Sequence, residues 1–417
     1  MKPSVIVAGG GIAGLTAASL LAADHDVIIL EAAPNCGGRI RSTGTKDFPA
    51  VIEAGPEFIH GHLKQTIALL NEAGIAYTPV EGKMYRYEKE MIIEQQDMIE
   101  DWDKLLKKMS RVDDEINMYD FLQENFVEDK FSDLRRHAIA YTEGFDVADV
   151  KQVTVKSLYK EWAAEDEENF RIPEGYGALT DYLMTRCEQQ GCRIFTNETV
   201  KQVDWEEHKV AVITSSGEKY NADSIIITVP VSVLQKTGGI SSINFTPPLD
   251  DYIGAAKHIG FGTVIKVLIA FHQPFWKKDM GYLFSDEYFP TWWTQLPDTG
   301  AMLTGWAGGG KAEQLVTEND DELVQKALLS LSNIFHIPLN EIQSNVKAVK
   351  VFNWSNDVLA MGAYSYEIPG STTAKKLLNT PIQNTIFFCG EALYEGTCPG
   401  TVEAAIINAR EVVRKMR

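Results

Sequence analysis

Three glycines in the pattern Gly9-x-Gly11-x-x-Gly14 separate a β-branched run from an Ala/Leu-rich segment near the N-terminus. The run Ser4–Ala8 predicts a strand, and Ile12–Ala23 predicts a helix. Glycines at these positions let the backbone turn tightly, and the N-terminus of the helix presents N–H groups that can bind a pyrophosphate. The pattern therefore predicts a β-α-β unit of a parallel sheet that binds a dinucleotide.

An acidic residue follows the glycines at the spacing that dinucleotide sites use. Glu31 ends the next predicted strand and lies 17 residues after Gly14, where a carboxylate can accept hydrogen bonds from ribose hydroxyls. A tight turn without a ligand needs neither the three spaced glycines nor this acid. Gly37, Gly38 and Arg39 then supply a flexible backbone and a guanidinium that suits a phosphate contact.

Charge and cysteine content restrict the class of partner and the compartment. Lys plus Arg number 39 against 58 Asp plus Glu, so the net charge of −19 repels nucleic acid and attracts cationic small molecules. Five cysteines are too few and odd in number for a disulfide scaffold, which predicts a cytoplasmic protein. The uncharged stretch Ser4–Ala23 could be a targeting segment or a membrane span, but its three consecutive glycines argue against both.

At roughly 100–200 residues per domain, 417 residues predict two or three domains with α/β architecture. A polar helical insertion is predicted over about 96–168, and its acidic run Glu165–Glu168 is interpreted as a solvated face. The other predicted helices are Leu179–Gln189, Asp320–Phe335 and Thr401–Met416. The predicted strands include Arg193–Phe195, Val200–Trp205, Lys209–Ile213, Ile225–Thr228, Val264–Phe271 and Thr385–Cys389, of which the first four suggest a meander that returns to a sheet.

The run Glu31-Ala32-x4-Gly37-Gly38-Arg39 resembles the FAD-binding segment of the flavin amine oxidase family, which includes monoamine oxidases, polyamine oxidases and histone lysine demethylases. The likeness extends over nearly the whole chain. Further motifs in the same order are Glu53 through Gly61, Ile227 through Pro230, Gly262 through Lys266, Trp354 through Tyr364, and Gly390-Glu391 through Glu403.

The resemblance implies a glutathione-reductase-like, Rossmann-type FAD-binding domain with an interleaved α+β substrate-binding domain. The FAD-binding domain is expected to be discontinuous, and the helical insertion is expected to belong to the substrate-binding domain. The expected FAD-binding pieces are 1–75, 190–265 and 380–417, and the expected substrate-binding pieces are 76–189 and 266–379.

The resemblance also assigns four residues around the reacting amine. Lys266 matches the lysine that holds a water against flavin N5, and a lysine within an apolar strand needs a partner unless its ammonium reaches solvent at the strand edge. Trp354 and Tyr364 match aromatic residues of the substrate cavity, with core packing as the alternative. His60 matches a histidine that some polyamine oxidases place near the substrate nitrogen, and a structural histidine is the alternative.

The remaining matches concern the cofactor. Glu391 matches the acid that binds the ribityl chain, Val200 matches a backbone contact of the adenine, and Thr401 replaces the second tyrosine of the monoamine oxidase cage. Ala363 stands where monoamine oxidases carry the cysteine that tethers FAD, which implies non-covalent FAD. The complete set of expected cofactor-binding residues is Gly9, Gly11, Gly14, Glu31, Gly38, Arg39, Gly55, Pro56, Val200, Gly390, Glu391, Thr401 and Val402.

The family implies an oxidase that transfers hydride from the α-carbon of an amine to flavin N5 and releases an imine or aldehyde, ammonia or an amine, and H2O2. The alternatives are a flavin desaturase or porphyrinogen oxidase, and a non-catalytic flavin-binding protein. No histidine combines with cysteines or acids at zinc-ligand spacing, so no metal site is expected. The sequence leaves open which amine reacts, whether O2 is the acceptor, and the oligomeric state.

Overall fold

The computed structural model describes residues 2–44, 46–96, 98–99, 101–112, 115–166, 168–236, 238–298 and 300–417. Two short 3-10 helices, Asp129–Phe131 and Glu391–Leu393, accompany the α-helices. The α-helices are α1 Ile12–Leu21, α2 Lys64–Ala73, α3 Trp102–Met109, α4 Met118–Asn125, α5 Ser132–Gly144, α6 Val155–Trp162, α7 Gly177–Gln189, α8 Val231–Gln235, α9 Asp250–Ala256, α10 Gly309–Leu315, α11 Asp320–Phe335, α12 Leu339–Asn345, α13 Ser371–Leu378 and α14 Val402–Met416.

The strands are distributed among several sheets. In chain order they are β1 Ser4–Ala8, β2 Asp26–Leu30, β3 Ser42–Thr43, β4 Ile52–Glu53, β5 Phe58–His60, β6 Thr78–Pro79, β7 Lys83–Glu88, β8 Met91–Gln95, β9 Asn169–Arg171, β10 Arg193–Phe195, β11 Val200–Glu206, β12 Lys209–Thr214, β13 Lys219–Ala222, β14 Ser224–Ile227, β15 Asn244–Thr246, β16 Ile259–Phe261, β17 Val264–Phe271, β18 Met280–Phe284, β19 Thr291–Trp293, β20 Met302–Gly308, β21 Val346–Asn353, β22 Ser365–Glu367 and β23 Ile386–Phe388.

A five-stranded sheet with the order β10-β2-β1-β14-β23 contains the glycine pattern. Every pairing in it is parallel, which confirms the predicted β-α-β unit. Its strands are short apolar runs, and β1 and β14 are buried almost throughout, as expected for a parallel sheet covered on both faces. This mixed α/β architecture confirms the predicted fold class.

Different layers cover the two faces of this sheet. On one face α1, α7 and α14 pack together around a core that contains Leu15, Leu179 and Ile406. On the other face lies a four-stranded sheet with the order β13-β12-β11-β15, in which β11, β12 and β13 are antiparallel neighbours. Its inward-facing Val203 and Val212 join the second core. The predicted meander is confirmed only for β11 and β12, because its first and last segments are β10 and β14 of the parallel sheet.

A second large sheet has seven strands in the order β21-β17-β20-β19-β18-β7-β8. Strand β17 runs between β20 and β21, antiparallel to both, and all eight of its residues are buried. Helix α11 packs on the outer face through Leu323, Ala327 and Leu331, so this sheet also has its own core. The position of β17 matters because it places Lys266 inside the protein and away from every sheet edge.

The predicted insertion contains α3, α4, α5 and α6, which pack around one apolar cluster, so its helical character is confirmed. Residues 97, 100, 113, 114 and 167 of this segment lie outside the described residues. The domain boundaries given above stay a prediction. No helix within the described ranges is both long enough and apolar enough to cross a membrane.

Replacing Gly14 with alanine tests the packing of α1 on β1. A Cβ at this position would lie 2.0 Å from the carbonyl oxygen of Gly9, so the backbone must move. We expect the free energy of unfolding to fall by about 2 kcal/mol or more, which urea denaturation would measure. Gly254→Ala in α9 is the matched control, because nothing lies within 4 Å of its added Cβ. Equal stability of the two variants would contradict this account.

Candidate functional site

A cavity of about 1230 Å³ opens at the carboxyl edge of the parallel sheet. The last residues of four parallel strands, Ala8, Leu30, Ile227 and Phe388, line it, and this is the edge where ligands of open α/β sheets bind. Every site residue predicted from the sequence lines the same cavity except Gly14. The structure thus brings together residues that lie hundreds of positions apart in the chain.

The glycine turn forms one end of this cavity. Gly11 is the N-cap of α1 and has no side chain to cap the helix, so the N–H groups of the first turn remain available to an anion. A Cβ on Gly11 would meet its nearest neighbour at 3.9 Å, which leaves open space over the turn. Gly14 does not line the cavity, and its lack of a side chain lets α1 pack closely on β1. The turn fits a pyrophosphate.

Glu31 lies beside the turn and receives two backbone hydrogen bonds. Its Oε2 accepts from the Gly10 N–H at 2.6 Å and its Oε1 accepts from the Ala33 N–H at 2.7 Å. Burial raises the pKa of Glu31, and these two N–H groups partly offset that effect. Since each carboxylate oxygen can accept a second hydrogen bond, the side chain suits a ribose diol.

Arg39 is paired with another predicted cofactor residue. Its Nη1 donates to Glu391 Oε1 at 2.8 Å and to the Ala363 carbonyl at 2.7 Å. The other oxygen of Glu391 accepts from the Ser365 hydroxyl at 2.7 Å. The expected phosphate contact of Arg39 therefore stays a prediction, and the observed role of its guanidinium is to hold Glu391 at the cavity wall.

The opposite end of the dinucleotide region is the start of α14. The Thr401 hydroxyl accepts from the Ala404 N–H at 3.1 Å, so Thr401 is the N-cap of this helix. Val402 in its first turn lines the cavity, where the positive end of the helix dipole stabilises negative charge. Gly390 lies beside this region, and Val200 lies at the start of β11.

Lys266 has a buried partner. Its Nζ donates to Glu57 Oε2 at 2.7 Å, and the Gly55 carbonyl lies at 3.4 Å. Lys266 is fully buried, with 1% of its side chain exposed, so the alternative of an ammonium that reaches solvent at a strand edge is wrong. The expectation that this lysine needs a partner is confirmed, since an unpaired ammonium at such a depth would be strongly destabilising.

Glu57 is itself held by three further donors. Its Oε1 accepts from Arg171 Nη2 at 3.0 Å, Trp293 Nε1 at 3.0 Å and Gln295 Nε2 at 3.3 Å. Burial alone would raise the pKa of Glu57, but the charges of Lys266 and Arg171 lower it to about 2. The sequence analysis did not single out Glu57, although an acid within the otherwise apolar run Pro56 through Ile59 was a signal of it.

The two aromatic candidates lie in the cavity wall with their polar atoms occupied. Trp354 Nε1 donates to the Ala54 carbonyl at 2.8 Å, and the Tyr364 hydroxyl donates to the Phe145 carbonyl. Burial raises the pKa of Tyr364 well above its usual value, so this phenol is neutral. Both residues also pack in an apolar cluster, so each of them lines the cavity and packs in the core at the same time.

His60 occupies the three-stranded sheet formed by β5, β9 and β6. Its Nδ1 lies 2.8 Å from Asn169 Oδ1 on the neighbouring strand, and its ring meets the Phe145 ring edge-on at 5.2 Å between centroids. Burial lowers the pKa of His60 despite this hydrogen bond, so the imidazole is neutral near pH 7. A neutral ring bonded through Nδ1 leaves Nε2 for a second partner.

The helical insertion contributes acids to the cavity wall. Glu161 and Glu165 line the cavity, and Glu165 accepts from the Tyr141 hydroxyl at 2.7 Å. The Tyr141 ring stacks on Phe145, whose carbonyl accepts from Tyr364. Burial and the neighbouring Glu165 raise the pKa of Glu161 to about 8.

Glu165, Asp166 and Glu168 are all exposed, so the interpretation of Glu165–Glu168 as a solvated face is confirmed for these three residues, even though Glu165 also lines the cavity. Asp166 also lines the cavity, whereas Glu167 lies outside the described residues. Only the tertiary fold brings α5 against this segment, so no local signal could show that Tyr141 bonds one of its acids.

The family model of flavin containing amine oxidoreductases matches residues 12–413. The chain belongs to this family. It is a flavin-dependent amine oxidoreductase, and its cofactor is FAD. The turn at Gly11, the carboxylate of Glu31 and the start of α14 are the parts of the cavity that fit this cofactor.

Named relatives cover nearly the whole chain. Polyamine oxidase 2 of Arabidopsis thaliana is 26% identical over 441 residues, which span 97% of this chain and 86% of that protein. The peroxisomal N(1)-acetyl-spermine/spermidine oxidase of Bos taurus is 24% identical and covers 99% of this chain and 94% of its own length.

Two solved structures share the fold along the whole chain. Putrescine oxidase bound to putrescine has a TM-score of 0.83 at 18% identity, and the match covers 100% of this chain and 99% of that chain. Cyclohexylamine oxidase from Brevibacterium oxydans has a TM-score of 0.81 at 17% identity, with 100% of both chains covered.

Proposed function

We propose that this protein is an oxidase of cationic diamines or polyamines, with O2 as the electron acceptor and H2O2 as a product. The observation that carries the proposal is the continuity of one cavity, which joins the dinucleotide residues at Gly11 and Glu31 to Lys266 and to the acids of the helical insertion. When bound, FAD supplies the hydride acceptor that an amine oxidation requires. The protein residues then bind and orient the amine.

Each candidate residue has a role that follows from its contacts. Lys266 presents a buried ammonium at the cavity wall, which stabilises negative charge that develops nearby. Trp354 and Tyr364 exclude water and offer aromatic faces to an amine. His60 is neutral, and its Nε2 can accept a hydrogen bond from an amine N–H. These roles rest on positioning rather than on a nucleophile.

The acids of the cavity favour a substrate with a second cationic group. Glu161, Glu165 and Asp166 line the wall beyond Tyr141, and the chain as a whole carries a net charge of −19. An ammonium placed among these carboxylates would favour their ionised forms and bind through them. The aromatic wall keeps an arylalkylamine as the second candidate, because Trp293 and Trp306 also line the cavity.

FAD is proposed to bind without a covalent bond. Among the described cysteines only Cys389 lines the cavity, and burial raises the pKa of its thiol to about 12, which disfavours the thiolate that covalent attachment requires. All five cysteines are unpaired, which supports the cytoplasm as the compartment.

Anaerobic titration of the purified yellow protein tests the function directly. We expect diamines or polyamines to bleach the flavin faster than monoamines of equal length, and oxygenated turnover to produce H2O2. Acid precipitation should leave the flavin in the supernatant. A flavin that no amine bleaches would overturn the proposal in favour of a desaturase or a non-catalytic flavoprotein, and faster bleaching by arylalkylamines would select the second candidate substrate.

Replacing Lys266 with methionine should slow anaerobic flavin reduction by the best amine about 100-fold. The reason is that the variant loses a preorganised positive charge at the cavity wall. Stopped-flow absorbance at a saturating amine concentration measures this rate. Lys350→Met is the matched control, since Lys350 is exposed on the adjacent strand β21. Unchanged reduction in the Lys266 variant would remove this residue from the reaction.

Above about pH 8, where Glu161 is ionised, replacing it with glutamine should raise the KM for a diamine about tenfold and leave that for an equal-length monoamine unchanged. In the parent enzyme the diamine KM should fall as the pH rises through about 8, where Glu161 gains its charge, and this fall should vanish in the variant. Steady-state kinetics with both amines measures the effect. Glu174→Gln, at an exposed position, is the control, and equal KM changes for both amines would contradict the prediction.

A further inference from the structure

The carboxylate of Glu57 divides its two oxygens between different tasks. Oε1 accepts from Arg171, Trp293 and Gln295, three donors that come from two other parts of the fold. Oε2 accepts only from Lys266, at 2.7 Å, among the contacts that the described residues make. One oxygen thus fixes the carboxylate in place and the other holds the lysine.

The remaining donors of Lys266 are directed by this contact. An ammonium has three N–H donors. One donates to Glu57, and the Gly55 carbonyl at 3.4 Å can take a second only weakly. Because Lys266 lines the cavity, a donor remains for whatever occupies it. Because Glu57 fixes the position of Lys266 Nζ, it also sets the direction of that remaining N–H donor.

The pair also fixes the charge at this wall. Lys266 is 0% exposed and Glu57 is 7% exposed, so water screens neither charge effectively. The charges of Lys266 and Arg171 lower the pKa of Glu57 to about 2, so its carboxylate is ionised throughout the working range of pH. The three groups together carry one net positive charge.

We propose that Glu57 is a positioning residue for the reaction, which holds the ammonium of Lys266 at the cavity wall and thereby sets the charge that bound FAD meets. The inference rests on the role of Lys266 proposed above. Glu57 acts through Lys266, and Arg171, Trp293 and Gln295 act through Glu57. The sheet that carries Lys266 and the segment that carries Glu57 therefore set the redox potential of bound FAD jointly.

Loss of the Glu57 carboxylate should change how the midpoint potential of bound FAD depends on pH, whereas loss of a merely structural residue should not. In Glu57→Gln the lysine would lie beside a neutral amide and the Arg171 guanidinium, and an uncompensated buried ammonium favours its neutral form. Lys266 would then titrate within the accessible pH range. The midpoint potential of bound FAD should follow that titration, because the charge beside the flavin would change with it.

The midpoint potential of bound FAD tests this without any amine. It is measured by equilibrium reduction against a reference dye from about pH 6 to about pH 9, a range into which the pKa of a desolvated lysine can fall. Two acids of the parent protein already titrate in this range, because burial raises the pKa of Glu53, beside Lys266 and Glu57, to about 7 and that of Glu161 to about 8. We expect Glu57→Gln to show a further inflection beyond those of the parent curve, and an intermediate curve for Glu57→Asp. This further inflection should disappear in the double variant Glu57→Gln with Lys266→Met.

Glu403→Gln is the matched control. Glu403 is a buried acid of α14 whose carboxylate accepts from the backbone N–H of Gln65 and Thr66, and it does not line the cavity. It should leave the potential and its pH dependence unchanged. If Glu57→Gln does not retain FAD, the midpoint potential of Glu57→Asp is compared with that of the parent protein instead.

Two failures are distinguishable. Curves of the Glu57 variants that superimpose on the parent curve, while Lys266→Met differs from it, would overturn the role of Glu57 alone. A Lys266→Met variant with unchanged potential and unchanged reduction by amines would overturn the role of Lys266 and the inference together.

Discussion

A carboxylate buried between separate sheets is the constraint on which the candidate site depends. Glu57 lies between β4 and β5, yet it binds Lys266 of β17, Arg171 of β9 and Trp293 of β19. Burying these charges singly would be strongly destabilising, whereas together they satisfy one another. Because these side chains must all meet, they fix how the seven-stranded sheet packs against the segment between β4 and β5.

The cavity follows from this arrangement. The parallel sheet presents the ends of its strands and the start of α1 on one side, and the aromatic and charged residues of the second sheet face them. The helical insertion covers the remaining wall through Tyr141, which stacks on Phe145 and bonds Glu165. A dinucleotide region and a proposed amine region thereby share one cavity, as a flavin-dependent amine oxidation requires.

Much of this organisation could be predicted from local patterns. The spaced glycines with Glu31 predicted the β-α-β unit and its ligand class, because backbone turns and helix ends need particular residues at fixed offsets. Helix Asp320–Phe335 and strand Val264–Phe271 were predicted with their observed bounds, since a sustained apolar period specifies each element. Lys266 within an apolar strand already implied a partner, though not which one.

The sequence by itself determined the dinucleotide fingerprint, the principal elements and the likeness to the amine oxidase family. Only the tertiary structure decided that Glu57 is the partner of Lys266, that Arg39 is held by Glu391, and that the exposed Glu165 lines the cavity and bonds Tyr141. The physical reason is the range of each interaction. Turns and periodicity act within a few residues, whereas ion pairs and cavity walls join residues whose distance along the chain says nothing about their distance in space.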